Sequence, residues 1–237
     1  DGVTLTIDAG VTVLFSQDVY LKALSGGTLI AQGTESDSIY FTVTDTNTVT
    51  NTEGIEFADA AIGSTVQNDT TYVSGSVIDY CVFKDFITTG NGGVISSSVQ
   101  LLIKNSFFIN NYANSGGALE GSYYIIYKTI LTNNNAVENG GCISTIPYYG
   151  EIIIDECQIS QNQAQNKGGV IFGHSSGGGI SIKNSHLNDN SAQRGGVVYQ
   201  PSGMRHDVVF YNNNFENNQA TNGEGGVGSF DQAYQLY

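Results

Sequence analysis

The chain has 237 residues, of which 40% are hydrophobic and 11% aromatic, so it is long and apolar enough to bury a core and is not a disordered chain. It carries 8 basic and 22 acidic residues, a net charge of −14. This balance excludes a nucleic-acid partner and docking on anionic lipid, because both need clustered Lys and Arg. No apolar run approaches the ~20 residues of a membrane-spanning helix, and we predict no direct membrane insertion.

The first 90 residues contain short segments in which apolar and polar residues alternate, and this pattern predicts strands. These segments cover residues 2–15, 19–24, 27–31, 38–42 and 54–57. The chain opens with Asp1, without a basic segment followed by an apolar one, so no signal peptide is predicted and we expect a piece of a longer protein.

Threonine occupies every even position of one segment in this region: Thr42, Thr44, Thr46, Thr48, Thr50 and Thr52. In a strand, all six hydroxyls would lie on one face, available for O-glycosylation, as a flat hydroxyl row or for pairing with another protomer. The alternative is a solvated loop inserted between coils. Asn68 begins the sequon Asn-Asp-Thr and is the candidate for N-glycosylation.

From residue 91 the composition changes, with three asparagines in residues 1–90 and twenty in 91–237. An apolar residue is followed three positions later by Asn and five later by Ala in five copies, at Asn spacings of 23, 28, 28 and 28. The apolar members are Phe108, Leu131, Ile159, Leu187 and Phe215, and the asparagines are Asn111, Asn134, Asn162, Asn190 and Asn218. A Gly-Gly pair follows each copy, and a decayed copy lies at residues 83–86.

Short β-branched and aromatic runs fill this period, and nothing in it has helical spacing. Such a repeat describes one coil of a parallel β-helix, in which equivalent residues of successive coils stack. The five apolar residues then form one internal stack and the five asparagines an internal ladder, whose amides bond to one another. We predict an all-β fold, one domain over residues 1–237 with degenerate coils in 1–90 and repeat coils in 91–237, and about nine coils at ~25 residues each.

These residues also resemble known families. The opening coils, Leu5 to Val13 and Gly27 to Thr34, look like those of right-handed parallel β-helix proteins of the pectate-lyase-like superfold. The later repeats resemble the FxxN and GGA[ILV] repeats of chlamydial polymorphic outer-membrane proteins and of similar microbial surface proteins. The resemblance implies a right-handed solenoid and an extracellular or cell-surface location with a structural or adhesive role.

An enzyme of this fold would act on polysaccharide, using two carboxylates or a Ca²⁺ cluster with a basic residue. The one group of residues that we consider for such an active site is the segment Arg205, His206 and Asp207, and we interpret it as a polar turn between coils. The three cysteines, Cys81, Cys142 and Cys157, lie in apolar surroundings and are expected to be small buried hydrophobes. We assign no catalytic residue, no metal and no cofactor.

An open β-helix exposes unpaired strand edges at both ends. We therefore expect these ends to meet other copies of the chain or further coils of the same chain, and head-to-tail stacking would give a filament. Glycans are the other class of partner considered. Our first hypothesis is a non-catalytic extracellular structural or adhesive protein, and the alternative is a polysaccharide-processing lyase or glycoside hydrolase on the same fold.

Overall fold

The structure is a computed structural model that describes residues 2–68, 70–147, 150–176, 178–202 and 207–231. Within these ranges the chain forms a single parallel β-solenoid of about eight turns, close to the nine expected, and contains no helix long and apolar enough to cross a membrane. The all-β class and the solenoid architecture are thereby confirmed, while the right-handed winding stays a prediction.

Three parallel sheets of eight strands form the walls of the solenoid. Sheet 1 consists of Thr4–Ile7, Thr28–Gln32, Val77–Asp79, Leu101–Lys104, Tyr124–Tyr127, Glu151–Asp155, Gly179–Lys183 and Val208–Tyr211. Sheet 2 consists of Thr12–Phe15, Ile39–Val43, Cys81–Lys84, Phe107–Ile109, Ile130–Thr132, Gln158–Ser160, His186–Asn188 and Asn214–Glu216. Sheet 3 consists of Tyr20–Ala23, Gly54–Phe57, Ile95–Ser97, Leu119–Gly121, Ile143–Ser144, Ile171–Phe172, Val198–Gln200 and Gly228–Phe230.

A fourth parallel sheet lies between sheets 2 and 3, only in the later coils. Sheet 4 consists of Tyr112–Ala113, Asn135–Ala136, Gln163–Ala164, Ser191–Arg194 and Gln219–Glu224. An antiparallel hairpin, Thr65–Gln67 with Thr71–Ser74, is inserted in the chain between the sheet 3 strand Gly54–Phe57 and the sheet 1 strand Val77–Asp79. Its Val66 and Tyr72 pack on the outer face of sheet 1, against Val77 and Leu102.

Alternation along each strand places one apolar set inside the solenoid. In Glu151–Asp155, Ile152 and Ile154 are buried and Ile153 faces outward. Because strand neighbours stack in register, these inward residues merge with those of other coils into one continuous core from Ile7 to Val208. The walls are therefore stabilised by apolar burial inside and by backbone pairing along the axis.

Each of the last six turns bends at residues with a left-handed backbone. One set follows sheet 1 and a second follows sheet 2, with φ between 48° and 64°. The first set is Tyr80, Asn105, Lys128, Glu156, Asn184 and Asn212, and the second is Asp85, Asn110, Asn133, Gln161, Asp189 and Asn217. Asn and Asp adopt this conformation more readily than other non-glycine residues, which explains why they predominate at these bends.

The Gly-Gly pairs form the corner before sheet 3, and the two glycines of a pair meet different requirements, one conformational and one steric. The first glycine takes the positive φ, as at Gly168 with φ 67°. The second lies where successive backbones touch, because a Cβ on Gly169 would stand 2.1 Å from the carbonyl oxygen of Gly196. The same close approach recurs in neighbouring coils, as between Gly141 and the carbonyl oxygen of Gly169 at 2.2 Å.

We predict that Gly169→Ala lowers the free energy of unfolding by at least about 2 kcal/mol, since the added methyl group forces stacked backbones apart. Gly90→Ala is the matched control, because its Cβ would meet only Thr88 Oγ1 at 3.4 Å. The control should stay within about 0.5 kcal/mol of the parent. Urea unfolding measures both, and equal midpoints for the two variants would show that the corner contact is not tight.

Candidate functional site

The five predicted asparagines lie in one file along the solenoid. Side-chain amide groups donate to the Oδ1 atom of the next asparagine at 2.8 Å from Asn111, 3.0 Å from Asn134, 3.0 Å from Asn162 and 2.9 Å from Asn190. Four of the five side chains are completely buried, and Asn218, in the last described coil, is half-buried. The file is thus a continuous chain of amide hydrogen bonds inside the protein.

Each amide in the file also bonds to the backbone of the preceding coil. The Asn162 Nδ2 group donates to the Leu131 carbonyl oxygen at 2.9 Å, and Asn162 Oδ1 accepts the Asn134 backbone N–H at 3.0 Å. Asn134 and Asn190 repeat both contacts one coil away on either side. Both N–H groups and the oxygen of a central asparagine therefore have partners, which offsets the cost of burying them.

The apolar residues that precede the asparagines also stack, as their strand register shows. Phe108, Leu131, Ile159 and Leu187 are fully buried, and Phe215 in the last coil is half-buried. The stack continues into earlier coils through the Phe41, Phe83 and Phe108 rings, whose centroids are 4.6 and 4.7 Å apart.

A second internal file, which the repeat pattern did not reveal, runs along the corner between sheets 1 and 2. Its members are Cys81, Ser106, Thr129, Cys157, Ser185 and Asn213. The Ser185 hydroxyl accepts the Cys157 backbone N–H at 3.0 Å and donates to the Lys183 carbonyl oxygen at 2.8 Å. The sequence signal was limited to the asparagine directly before three of the members, Asn105, Asn184 and Asn212, which have a left-handed backbone in the structure.

The three cysteines are buried and unbonded to one another, which confirms the expectation that they act as small core residues. Burial raises the pKa of Cys81 and of Cys157 to about 12, and it raises the pKa of Cys142 further. Since the thiolate is the reactive form, none of the three is a nucleophile near neutral pH.

The threonine segment is a loop for most of its length, so its interpretation as one strand with six hydroxyls on a face is wrong. The strand ends at Val43, because the Asp45 carboxylate accepts the Asn47 backbone N–H at 2.9 Å and starts a turn. Thr42 is half-buried, and Thr52 is buried with its hydroxyl donating to the Ile87 carbonyl oxygen at 3.0 Å. The exposed members are Thr44, Thr46, Thr48 and Thr50.

Asn68 is exposed at the tip of the hairpin on the outside of sheet 1, with a positive φ of 52°. A glycan there would extend into solvent, and its presence stays a prediction. Arg205 and His206 lie outside the described residues. Of the predicted segment Arg205, His206 and Asp207, the structure describes only Asp207, which is exposed. Within the described ranges, no group of three or more His, Cys, Asp or Glu side chains could hold a metal ion.

Two carboxylates share one file on the outer face of sheet 3. Glu56, Ser96 and Glu120 occupy equivalent positions on three successive strands. Glu120 is half-buried and accepts hydrogen bonds from Asn91 Nδ2 at 2.9 Å and Ser96 Oγ at 3.3 Å, and burial raises its pKa. Glu56 is paired with Lys22 at 2.7 Å. Burial thus holds the Glu120 carboxyl group toward its protonated form, while Glu56 forms an ion pair with Lys22.

The first coil ends in an open apolar recess of about 450 Å³. The inward-facing Leu5, Val13 and Leu21 contribute to it, and Leu5 is 42% exposed. Equivalent residues one coil later, such as Leu29 and Ile55, are buried because another coil covers them. Leu5 is therefore exposed because no described coil packs against that side of the first coil.

No family model, no curated protein and no solved structure matches this chain.

We predict that Asn162→Asp lowers the free energy of unfolding by about 3 kcal/mol at pH 7, because the carboxylate is buried beside the Leu131 carbonyl and loses two donors. Burial raises its folded-state pKa above the unfolded value of ~3.9, so stability is retained below that value and lost as the pH rises through the folded pKa. The loss relative to the parent should be smaller at pH 4 than at pH 7.

Asn166→Asp is the control, since Asn166 is exposed four residues further along the same coil. Urea unfolding of parent and variants at both pH values gives the comparison. An equal loss for the two variants at pH 7 would contradict the role given to Asn162.

The native protein should react with a thiol reagent such as Ellman's at pH 8 no faster than global unfolding allows, because the pKa of Cys81 and of Cys157 is about 12 and all three thiols are buried. In denaturant, three equivalents should react at once. Rapid labelling of the folded chain would contradict the internal position of these side chains.

Proposed function

We propose that this chain is a non-catalytic structural or adhesive β-solenoid of an extracellular or cell-surface protein. The observation that carries the proposal is the continuous hydrogen-bonded asparagine file, in which every central amide is satisfied by the protein itself. A fold stabilised along its axis in this way needs neither ligand nor cofactor to be rigid.

The resemblance to right-handed β-helix proteins of the pectate-lyase-like superfold, and to chlamydial polymorphic outer-membrane protein repeats, supports the same role. Support for an extracellular or cell-surface location comes from the exposed sequon asparagine Asn68, the loop threonines and the net charge of −14, which keeps an extracellular rod soluble. Other copies of the chain or further coils of the same chain are the proposed partners, with glycans as ligands of the adhesive role.

A polysaccharide-processing lyase or glycoside hydrolase is the second candidate, and the outer file of sheet 3 is the observation that favours it. Glu56 and Glu120 lie two strands apart, which corresponds to about 9.6 Å along the sheet. That separation is close to the ~6.5–9.5 Å between the carboxyl groups of inverting glycosidases, with Glu120 as the acid and Glu56 as the base.

One experiment separates the two candidates. The chain is incubated with pectin, alginate and related acidic and neutral glycans, while binding is followed by calorimetry and turnover by new reducing ends or unsaturated products. We expect no product, with or without binding. Turnover that Glu120→Gln abolishes, and that the exposed control Glu138→Gln leaves intact, would establish the enzyme instead.

A further inference from the structure

The connection from sheet 3 back to sheet 1 differs in length from coil to coil. In the second coil it spans residues 58–76, which include the hairpin, but in the next two coils it spans only 98–100 and 122–123. In the coil after these it lengthens again, to residues 145–150. Two short connections between two longer ones leave a recess on the outside of this corner, which we call the corner groove.

The corner groove has a volume of about 680 Å³, within the ~300–1,000 Å³ that is typical of ligand pockets. Residues of the long connection line one side, and residues of the two short connections form the floor. Its lining includes Asp59, Ile62, Thr65, Ser98, Gln100 and Tyr123. None of these six belongs to the asparagine file or to the carboxylate file of sheet 3, so the groove is a separate site.

Hydrogen bonds hold the side and the floor of the corner groove together. The Ser64 backbone N–H donates to the Gln100 carbonyl oxygen at 2.7 Å, and Gln100 Nε2 donates to the Ser64 carbonyl oxygen at 3.0 Å. The Ser64 hydroxyl also accepts the Leu102 backbone N–H at 2.7 Å. The Tyr123 ring lies against the next coil, since a Cβ on Gly150 would stand 2.9 Å from Tyr123 Cδ1. The groove is therefore preformed, and a ligand would lose little affinity to the ordering of its walls.

The groups in the corner groove combine apolar surface with carboxylate, hydroxyl and amide functions. The apolar part includes Ile62, which is 47% exposed, and the half-buried Tyr123. The polar part includes the exposed Asp59 and Thr65 and the half-buried Gln100. A carboxylate only accepts hydrogen bonds, whereas a hydroxyl or an amide both donates and accepts. This set suits a ligand that has several hydroxyl groups around an apolar ring face.

Charge narrows the class of ligand further. Among the described residues that line the corner groove, Asp59 is the only charged one, and none is Lys, Arg or His. An anionic ligand would meet this carboxylate without a compensating cation, on a chain of net charge −14. A single exposed carboxylate also holds an ammonium group weakly. A sugar hydroxyl, in contrast, can donate a charge-assisted hydrogen bond to it at little desolvation cost.

We propose that the corner groove binds uncharged hexopyranose units of a glycan. The apolar face of the sugar ring packs on Ile62 and Tyr123, and its hydroxyl groups bond to Asp59 and Gln100. The inference rests on the proposed adhesive role and deepens it, because it names the class of glycan and the site that binds it.

Two-dimensional NMR of the unmutated chain tests the proposal, with the hexamers of cellulose, amylose, laminarin and mannan titrated to about 10 mM. We expect at least one of these uncharged hexamers to bind with a Kd below about 1 mM. The backbone amide signals of residues 59–65, 98–100 and 123 should shift most. The anionic hexamer of galacturonate and the cationic hexamer of glucosamine should bind at least about tenfold more weakly than the best uncharged one.

Asp59→Asn should raise the Kd of that uncharged hexamer at least about fivefold, because the charge-assisted hydrogen bond is lost. Asp37→Asn is the matched control, since Asp37 is also exposed but lies in the connection from sheet 1 to sheet 2, and its Kd should equal that of the parent. Both replaced side chains are exposed, so the amide spectra of the two variants should show the parent fold.

Four results would each overturn the proposal: no binding by any of the four uncharged hexamers, tighter binding of a charged hexamer, shifts centred outside the corner groove, or an unchanged Kd for Asp59→Asn. None of them involves turnover of a glycan, which is the result that overturns the proposed non-catalytic role. The two failures can therefore be told apart.

Discussion

The hydrogen-bonding requirement of a buried side-chain amide is the constraint on which the rest of this structure depends. An asparagine inside an apolar core destabilises it unless both N–H groups and the oxygen are paired. In this chain the partners of a central asparagine side chain are the asparagines of the two neighbouring coils and the backbone of the preceding coil. A shift of one coil by a single residue would break several of these bonds together, so the file fixes the register of the stacked coils.

At the corners, backbone conformation and close backbone contacts also keep the coils stacked. Left-handed residues at two bends and the first glycine of each pair at the third recur in each of the last six coils. The second glycine then allows backbones to approach more closely than a Cβ permits. Apolar burial provides most of the stabilisation, while these polar and backbone contacts determine which residues lie above one another.

The sequence predicted the internal files because their residue type recurs at a fixed spacing, as with Asn134, Asn162 and Asn190. It did not predict the file containing Ser106, Thr129 and Cys157, because its members share small size rather than identity. It left residues 44–52 open between a strand and a loop, because the Asx turn at Asp45 interrupts a pattern that alternates like a strand. Paired residues of successive coils lie up to 47 positions apart in the sequence, as Ile30 and Val77 do, because the hairpin is inserted between them. The number of coils estimated from an average coil length was therefore only approximate. Function was harder to predict than fold, since the interior repeats while the surfaces and ends differ from coil to coil.

Hydrogen exchange of the asparagine side chains tests the central claim most directly. In a sample labelled with ¹⁵N at asparagine, the account predicts four side-chain NH₂ groups that exchange as slowly as core backbone amides, assigned by single substitution to Asn111, Asn134, Asn162 and Asn190. The exposed asparagines should exchange rapidly in the same spectrum. Rapid exchange of every asparagine NH₂ group in the folded protein would contradict the account.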